Sequence, residues 1–213
     1  MTFSCVIGTH NPKYEWLSRA INSAVGLFDE IVLVDDGSDV PLTDAFSVGN
    51  VRVIRHGSNK GFFEARNTGI RNATGEIICS LDDDDYFNRD AVANLKKFVE
   101  ENPDSDVYHF ILQQFNESND LYGANADPSV LTSYNSIPSQ SWFRKSMWEE
   151  LGGYRIPAAE DWDFWLNAYL HKKKFTYFGQ AVYYYNRRHD SASMNIKKPL
   201  EELRREIMSL NGL

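Results

Sequence analysis

Three short apolar runs in the first 85 residues each end abruptly in a polar cluster, and helix-period segments separate them. Phe3 to Ile7 leads into Gly8-Thr9-His10-Asn11. Glu30 to Val34 leads into Asp35-Asp36-Gly37-Ser38-Asp39. Ile77 to Leu81 leads into four consecutive aspartates, Asp82 to Asp85. Between them, Tyr14, Leu17, Ile21, Ala24, Val25 and Phe28 recur at helical spacing, and so do Phe62, Ala65, Arg66, Ile70 and Ala73. A further short strand is predicted over Val51 to Ile54. Strands alternating with helices across short turns predict a parallel sheet with right-handed crossovers. Such sheets bind ligands at the carboxyl ends of their strands. The three polar clusters are therefore expected on one edge.

The boundaries follow from local chemistry. Asn11 and Pro12 are expected to cap and open the first helix. Asp90 is expected to cap the helix whose apolar face is Ala91, Val92, Leu95, Phe98 and Val99. Val107 to Gln114 reads as a central strand. Glu117 to Ser136, rich in Asn, Asp, Ser and Gly, reads as a long mobile loop. Ser146 to Leu151 forms a short helix stopped by Gly152-Gly153. Glu160 or Asp161 opens another, with Phe164, Trp165, Ala168 and Tyr169 inward. Thr176 to Tyr185 is aromatic strand material. Pro199 to Leu210 is an amphipathic helix that either packs on the core or pairs with a second subunit to give a homodimer.

The aspartate tetrad is an electrostatic problem. Adjacent carboxylates repel, and unpaired burial is costly. A divalent cation is the simplest counter-charge, because Mg²⁺ and Mn²⁺ prefer carboxylate oxygens and keep positions open for a diphosphate. The other reading is a solvated acidic loop, and the tetrad alone does not decide between them. A net charge of −8 argues against a nucleic-acid binder. The two cysteines, Cys5 and Cys79, lie in strand-like runs without metal or disulfide spacing, which points to a reducing compartment. The N-terminus lacks a signal-peptide pattern, and no apolar run approaches the ~20 residues of a membrane span. A cytoplasmic protein that reaches a membrane only through a partner or its substrate is expected.

The ordered motifs resemble family-2 glycosyltransferases of GT-A fold. Ser4 to Asn11 looks like the family's opening strand and turn, with Gly8 and His10 where the family usually shows Pro and Tyr. Val34 to Asp39 resembles its nucleotide-binding turn. Asn59-Lys60-Gly61 with Ala65 to Gly69 resembles the next block, and Leu81 to Asp85 the Asp-x-Asp metal motif. Leu151 to Tyr154 with Glu160-Asp161 resembles the acceptor-side block, and Tyr185 to Ser193 the closing segment. The implied architecture is α/β, a Rossmann-like, mostly parallel central sheet flanked by helices, with a smaller acceptor-side α+β segment. One domain over 1–213 is expected: a nucleotide-binding half (1–105), an acceptor-binding half (106–195) and a C-terminal helix (196–213).

The resemblance implies a metal-dependent inverting transfer from a nucleotide-sugar donor, a UDP-sugar, to a glycan or glycolipid hydroxyl, with Mn²⁺ or Mg²⁺. It implies nucleotide contacts from Gly8, Thr9, Asn11, Asp35, Asp36, Arg66, Asp82 and Asp83. Asp36 would accept from the uracil N3–H, Asp35 would support the turn, and Arg66 would donate to the nucleotide or pair with Asp36. Asp84 is the implied metal ligand, with Asp82 beside it and His189 as a further ligand; Asp83 and Asp85 are left as solvated spectators or supports. Asp161 is the implied general base, kept ionised by its helix N-terminus. Glu160, Trp142 and Trp162 are acceptor-side candidates, the tryptophans mainly core with one stacking on the sugar. Two alternatives stand: an inactive nucleotide- or glycan-binding module of the same fold, and a sugar nucleotidyltransferase. The turn after strand one is too short and lacks the basic residue the latter needs.

Overall fold

The structure is a computed structural model of the 213-residue chain, and it describes residues 1–47, 49–124, 126–157, 159–188 and 198–213. Four parallel strands form its first half: β1 (Phe3–Thr9), β2 (Glu30–Asp35), β3 (Val51–Arg55) and β4 (Ile77–Ser80). The crossovers carry α1 (Tyr14–Ala24), α2 (Thr43–Phe46) and α3 (Phe62–Asn72). Then come β5 (Tyr86–Phe87), α4 (Arg89–Glu101), β6 (Val107–Asn116), β7 (Leu121–Tyr122), a 3₁₀ turn (Pro128–Val130) and β8 (Trp142–Arg144). The chain finishes with α5 (Lys145–Leu151), α6 (Glu160–Leu170), β9 (Phe175–Arg187) and α7 (Leu200–Leu210).

The sheet order is β3-β2-β1-β4-β8-β6-β9-β5, with β7 on β6. The long registers are parallel, ten residues in β6/β9 and six in β1/β2, whereas each antiparallel pairing spans two residues. Successive strands leave β1 first on one side and then on the other. The β1/β4 junction is thus the switch point where a crevice opens beyond the strand ends.

Period-two alternation explains why the strands are apolar throughout. Phe3, Cys5, Ile7, Ile31 and Leu33 face α1 and α4, while Val6, Val32 and Val34 face α3, α5 and α6. Both faces are covered, so neither can be polar. Leu203 and Ile207 of α7 belong to the second cluster, so the terminal helix packs on its own core; Leu200 and Leu210 are exposed.

Several local expectations are corrected. Asn11 does not cap α1, which starts after Lys13. Its φ is 48°, its Oδ1 accepts from the Asp39 amide at 2.8 Å, and its own amide donates to Ser38 Oγ at 2.9 Å. Its capping capacity goes to the β2 turn instead. Asn88, not Asp90, caps α4, accepting from the Ala91 amide at 3.3 Å. The Glu117–Ser136 stretch contains β7 and the 3₁₀ turn, the latter capped by Asp127. Its polar residues serve turns. Tyr169 is exposed rather than inward. Gly152 ends α5 with φ 82°, the left-handed cap its position predicted.

Candidate active site

The β2 end makes the first wall. Asp35 is fully buried and accepts from the Ser38 amide at 2.9 Å and the Leu42 amide at 3.2 Å, and it pairs with Arg55. Burial alone would raise its pKa; the donors from Ser38, Arg55 and Leu42 reverse that and hold it below the ordinary value. Asp35 thus supports the turn. Gly37 has φ 74°, and a Cβ there would lie 2.6 Å from the Ser58 carbonyl carbon, so the turn admits only glycine. Asp36 is 2% exposed, its carbonyl accepts from His10 Nδ1 at 3.0 Å, and its carboxylate is held by donors from the segment between β3 and α3. Thr9, His10, Asp36, Asn59, Gly61, Phe62 and Ala65 line a cavity of about 170 Å³. Gly8 lies under α3, where a Cβ would come 3.2 Å from Ala65 Cβ. It sets the helix-to-strand approach.

The tetrad is not a solvated row, because each aspartate has its own partners. Asp82 accepts from Arg66 Nη2 at 2.6 Å and Gln140 Nε2 at 3.2 Å. Asp83 accepts from the Thr9 hydroxyl. Asp84 pairs with Arg188 at 2.8 Å, and its carbonyl accepts from Arg19 at 2.8 Å. Asp85 is fully buried, accepting from the Asn186 amide at 2.7 Å and Gln140 Nε2 at 3.4 Å. The spectator reading is therefore corrected for Asp85: it ties the tetrad to β9. Burial pushes Asp83 up to about 6, with Thr9 opposing and its aspartate neighbours adding. Burial, then the Asp82 charge, raises Asp84 against the pull of Arg188. Burial with Asp82 and Asp84 raises Asp85 well above its ordinary value.

Arg66 does not pair with Asp36. It is 3% exposed and spans from Asp82, at 2.6 Å, to Glu160, at 3.3 Å, with its guanidinium 4.2 Å from the Phe62 ring centre. Burial disfavours its charge, but Asp82 and Glu160 outweigh this and keep it protonated.

Glu160 and Asp161 occupy the first turn of α6. Burial pushes Glu160 up to about 7, with Arg66 opposing and Asp161 adding. Asp161 Oδ2 accepts from Asn135 Nδ2 at 2.8 Å and Oδ1 from the Trp162 amide at 2.9 Å. Burial raises its pKa despite Arg66 and these donors, so the helix terminus does not dominate as expected from sequence. Asp161 lines a second cavity of about 260 Å³ with Leu112, Gln114, Tyr122, Ser139, Gln140, Tyr185 and Arg187.

Trp142 is fully buried among Phe3, Phe28 and Phe110. Trp162 is 4% exposed, with its indole N–H donating to the Leu131 carbonyl at 2.7 Å. Both are core, which corrects the acceptor-stacking expectation. His189 lies outside the described residues. Among the described residues no three His, Cys, Asp or Glu side chains gather into a metal-holding group. Gln140 and His56, both buried against site carboxylates, escaped sequence reading because neither sits in a recognisable pattern.

A mostly parallel sheet with a carboxylate in each of two cavities, Asp36 in one and Asp161 in the other, is an arrangement in which α/β proteins bind ligands. The profile of glycosyl transferase family 2 matches residues 4–156, and the chain belongs to that family. It is 28% identical over 182 residues to the uncharacterized glycosyltransferase YwdF of Bacillus subtilis (strain 168), covering 79% of this chain and 68% of that one. It is 31% identical over 215 residues to the poly(ribitol-phosphate) beta-glucosyltransferase of Bacillus spizizenii, covering 92% of this chain but 34% of that protein. The fold matches that of S. aureus TarS 1-349 in complex with UDP-GlcNAc, with TM-score 0.76, 22% identity, and coverage of 99% of this chain and 65% of that chain. The chain is thus shorter than each of these relatives. No helix among the described residues is long and apolar enough to cross a membrane.

Proposed function

We propose that the protein is an inverting, metal-dependent glycosyltransferase that moves a sugar from a UDP-sugar to a hydroxyl of a glycan or glycolipid. One observation carries this reading: the Arg66 bridge joins Asp82, at the donor-side strand end, to Glu160, next to Asp161. Gln140 makes a second link, because it touches Asp82 and also lines the Asp161 cavity. The crystallised complex of TarS with UDP-GlcNAc supports a UDP-sugar donor.

The base would lie in the Asp36 cavity, with its imide N–H donating to the Asp36 carboxylate. Asp82 and Asp84, each paired with an arginine, offer oxygens of the kind a hard divalent cation prefers, and burial, with repulsion from neighbouring aspartates added, raises Asp83 and Asp84. Asp84 and Asp82 would hold Mn²⁺ or Mg²⁺, which supplies Lewis-acid neutralisation of the leaving diphosphate. Asp161, oriented by Asn135, takes the proton of the acceptor hydroxyl as that oxygen attacks the anomeric carbon and the sugar–phosphate bond breaks. Its raised pKa makes it a stronger base than a solvated aspartate.

The test is calorimetry with a panel of nucleotide sugars, with and without Mn²⁺, followed by donor turnover. Metal-dependent binding of UDP-sugars is expected. Failure of every nucleotide to bind in the presence of metal would refute the reading.

A further inference from the structure

His56 follows β3, and its backbone amide donates to the Asp35 carbonyl at 2.9 Å. Its side chain is 5% exposed and runs from the β2 turn to α3. Nδ1 lies 2.6 Å from Asp36 Oδ1, and Nε2 lies 3.0 Å from Thr68 Oγ1. A carboxylate only accepts, so Nδ1 carries a proton and donates to Asp36, while Nε2 is within hydrogen-bond distance of the threonine hydroxyl. Asp36 Oδ1 also accepts from the Lys60 amide at 2.9 Å, and Oδ2 accepts from the Gly61 amide at 2.8 Å. Two donors fill Oδ1. Among the described residues Oδ2 has this single donor, which leaves one acceptor position on the cavity that His10 and Phe62 also line.

The geometry points to His56 as a positioning residue that makes Asp36 a single-site acceptor, so that the cavity selects a base presenting a ring N–H. The inference rests on the reading of this cavity as the donor's base pocket. Uracil offers an N3–H to that position. Cytosine offers a lone pair there, and a carboxylate lone pair repels it. The discrimination needs a carboxylate that cannot turn away, and His56, anchored by Thr68 at its far nitrogen, is the side chain that restrains it. Two backbone donors just before α3 also hold it, Lys60 on the same oxygen as His56 and Gly61 on the other.

The test is calorimetry of UDP and CDP, with Mn²⁺ present, on wild type and on His56→Leu, His56→Asn and His56→Gln. Asparagine carries its amide near the Nδ1 position, and glutamine carries its amide near Nε2. Wild type is expected to prefer UDP over CDP by at least about tenfold, the worth of one charge-assisted hydrogen bond. His56→Leu is expected to lose about tenfold in UDP affinity and to bring the UDP/CDP ratio towards one. His56→Asn is expected to keep both to within about threefold, while His56→Gln behaves like the leucine variant. Should His56→Leu fail to fold, the Asn/Gln pair decides alone, since both keep a polar side chain. Wild-type affinity and ratio in His56→Gln, or equal UDP and CDP binding by wild type, would overturn the role of His56 and leave the transferase reading standing. A wild type that binds neither nucleotide would overturn both.

Discussion

Arg66 donates to Asp82 at 2.6 Å from a position only 3% exposed, and the same guanidinium reaches Glu160 at 3.3 Å. A buried arginine between two carboxylates is costly to desolvate and more costly to break. Its value here is geometric: it joins the end of β4 to the start of α6, elements from opposite halves of the chain. Replacing Arg66 with Met keeps the volume and leaves two carboxylates without their cation. Urea unfolding is expected to show a loss of about 3–5 kcal/mol. A loss below about 1 kcal/mol would mean the pair is no more than a surface contact.

Gln140 is the neutral partner of the same cluster, donating to Asp82 at 3.2 Å and Asp85 at 3.4 Å. Gln140→Leu is expected to cost about 1–3 kcal/mol, because Asp85 is fully buried and keeps only the Asn186 amide among these donors. Gln140→Glu adds a fifth carboxylate and is expected to be worse than the leucine variant. The reverse order in thermal unfolding would contradict the electrostatic account.

Much of this cluster was unreadable in advance, for a physical reason. The strands β1 to β4 and the polar clusters at their ends were legible because continuous apolar runs and sharp polarity changes are local signals. The partners of the tetrad are not local. Gln140 lies 55 residues from Asp85, and Arg188 lies 104 residues from Asp84. Strands β5, β7 and β8 are two or three residues long and carry no period to detect. Trp142 could be weighed as core or sugar platform only by composition, and packing against three phenylalanines settles it as core.

Two glycines separate strain from collision. Gly152 has φ 82° with nothing within 4 Å of an added Cβ, so Gly152→Ala is expected to cost about 1 kcal/mol. Gly37 has φ 74° and an added Cβ would meet Ser58 backbone at 2.6 Å. Gly37→Ala must move the turn that bears Asp36, and is expected to weaken UDP binding at least about tenfold as well as destabilise. Equal effects of the two substitutions in calorimetry and unfolding would contradict this.

His109 is buried beside Phe175 and Tyr177, and burial lowers its pKa to about 4 from 6.5, with Asp127 opposing. The folded state therefore favours the neutral ring. The contribution of the neutral ring to stability is full above pH 6.5 and is lost as pH falls from there towards 4, by roughly 3 kcal/mol in all. His109→Phe is expected to flatten that part of the stability profile, read by urea unfolding at pH 7 and pH 5. An unchanged slope would assign the acid sensitivity elsewhere.

The most direct measurement compares wild type with Asp161→Asn, reading turnover of the UDP-sugar and, by calorimetry, the affinities for UDP and Mn²⁺. The substitution keeps the shape of the side chain that accepts from Asn135 and removes its basicity. Turnover is expected to fall by about 10²–10⁴, with both affinities unchanged within about twofold. Turnover at the wild-type rate in Asp161→Asn would contradict the assignment of the base.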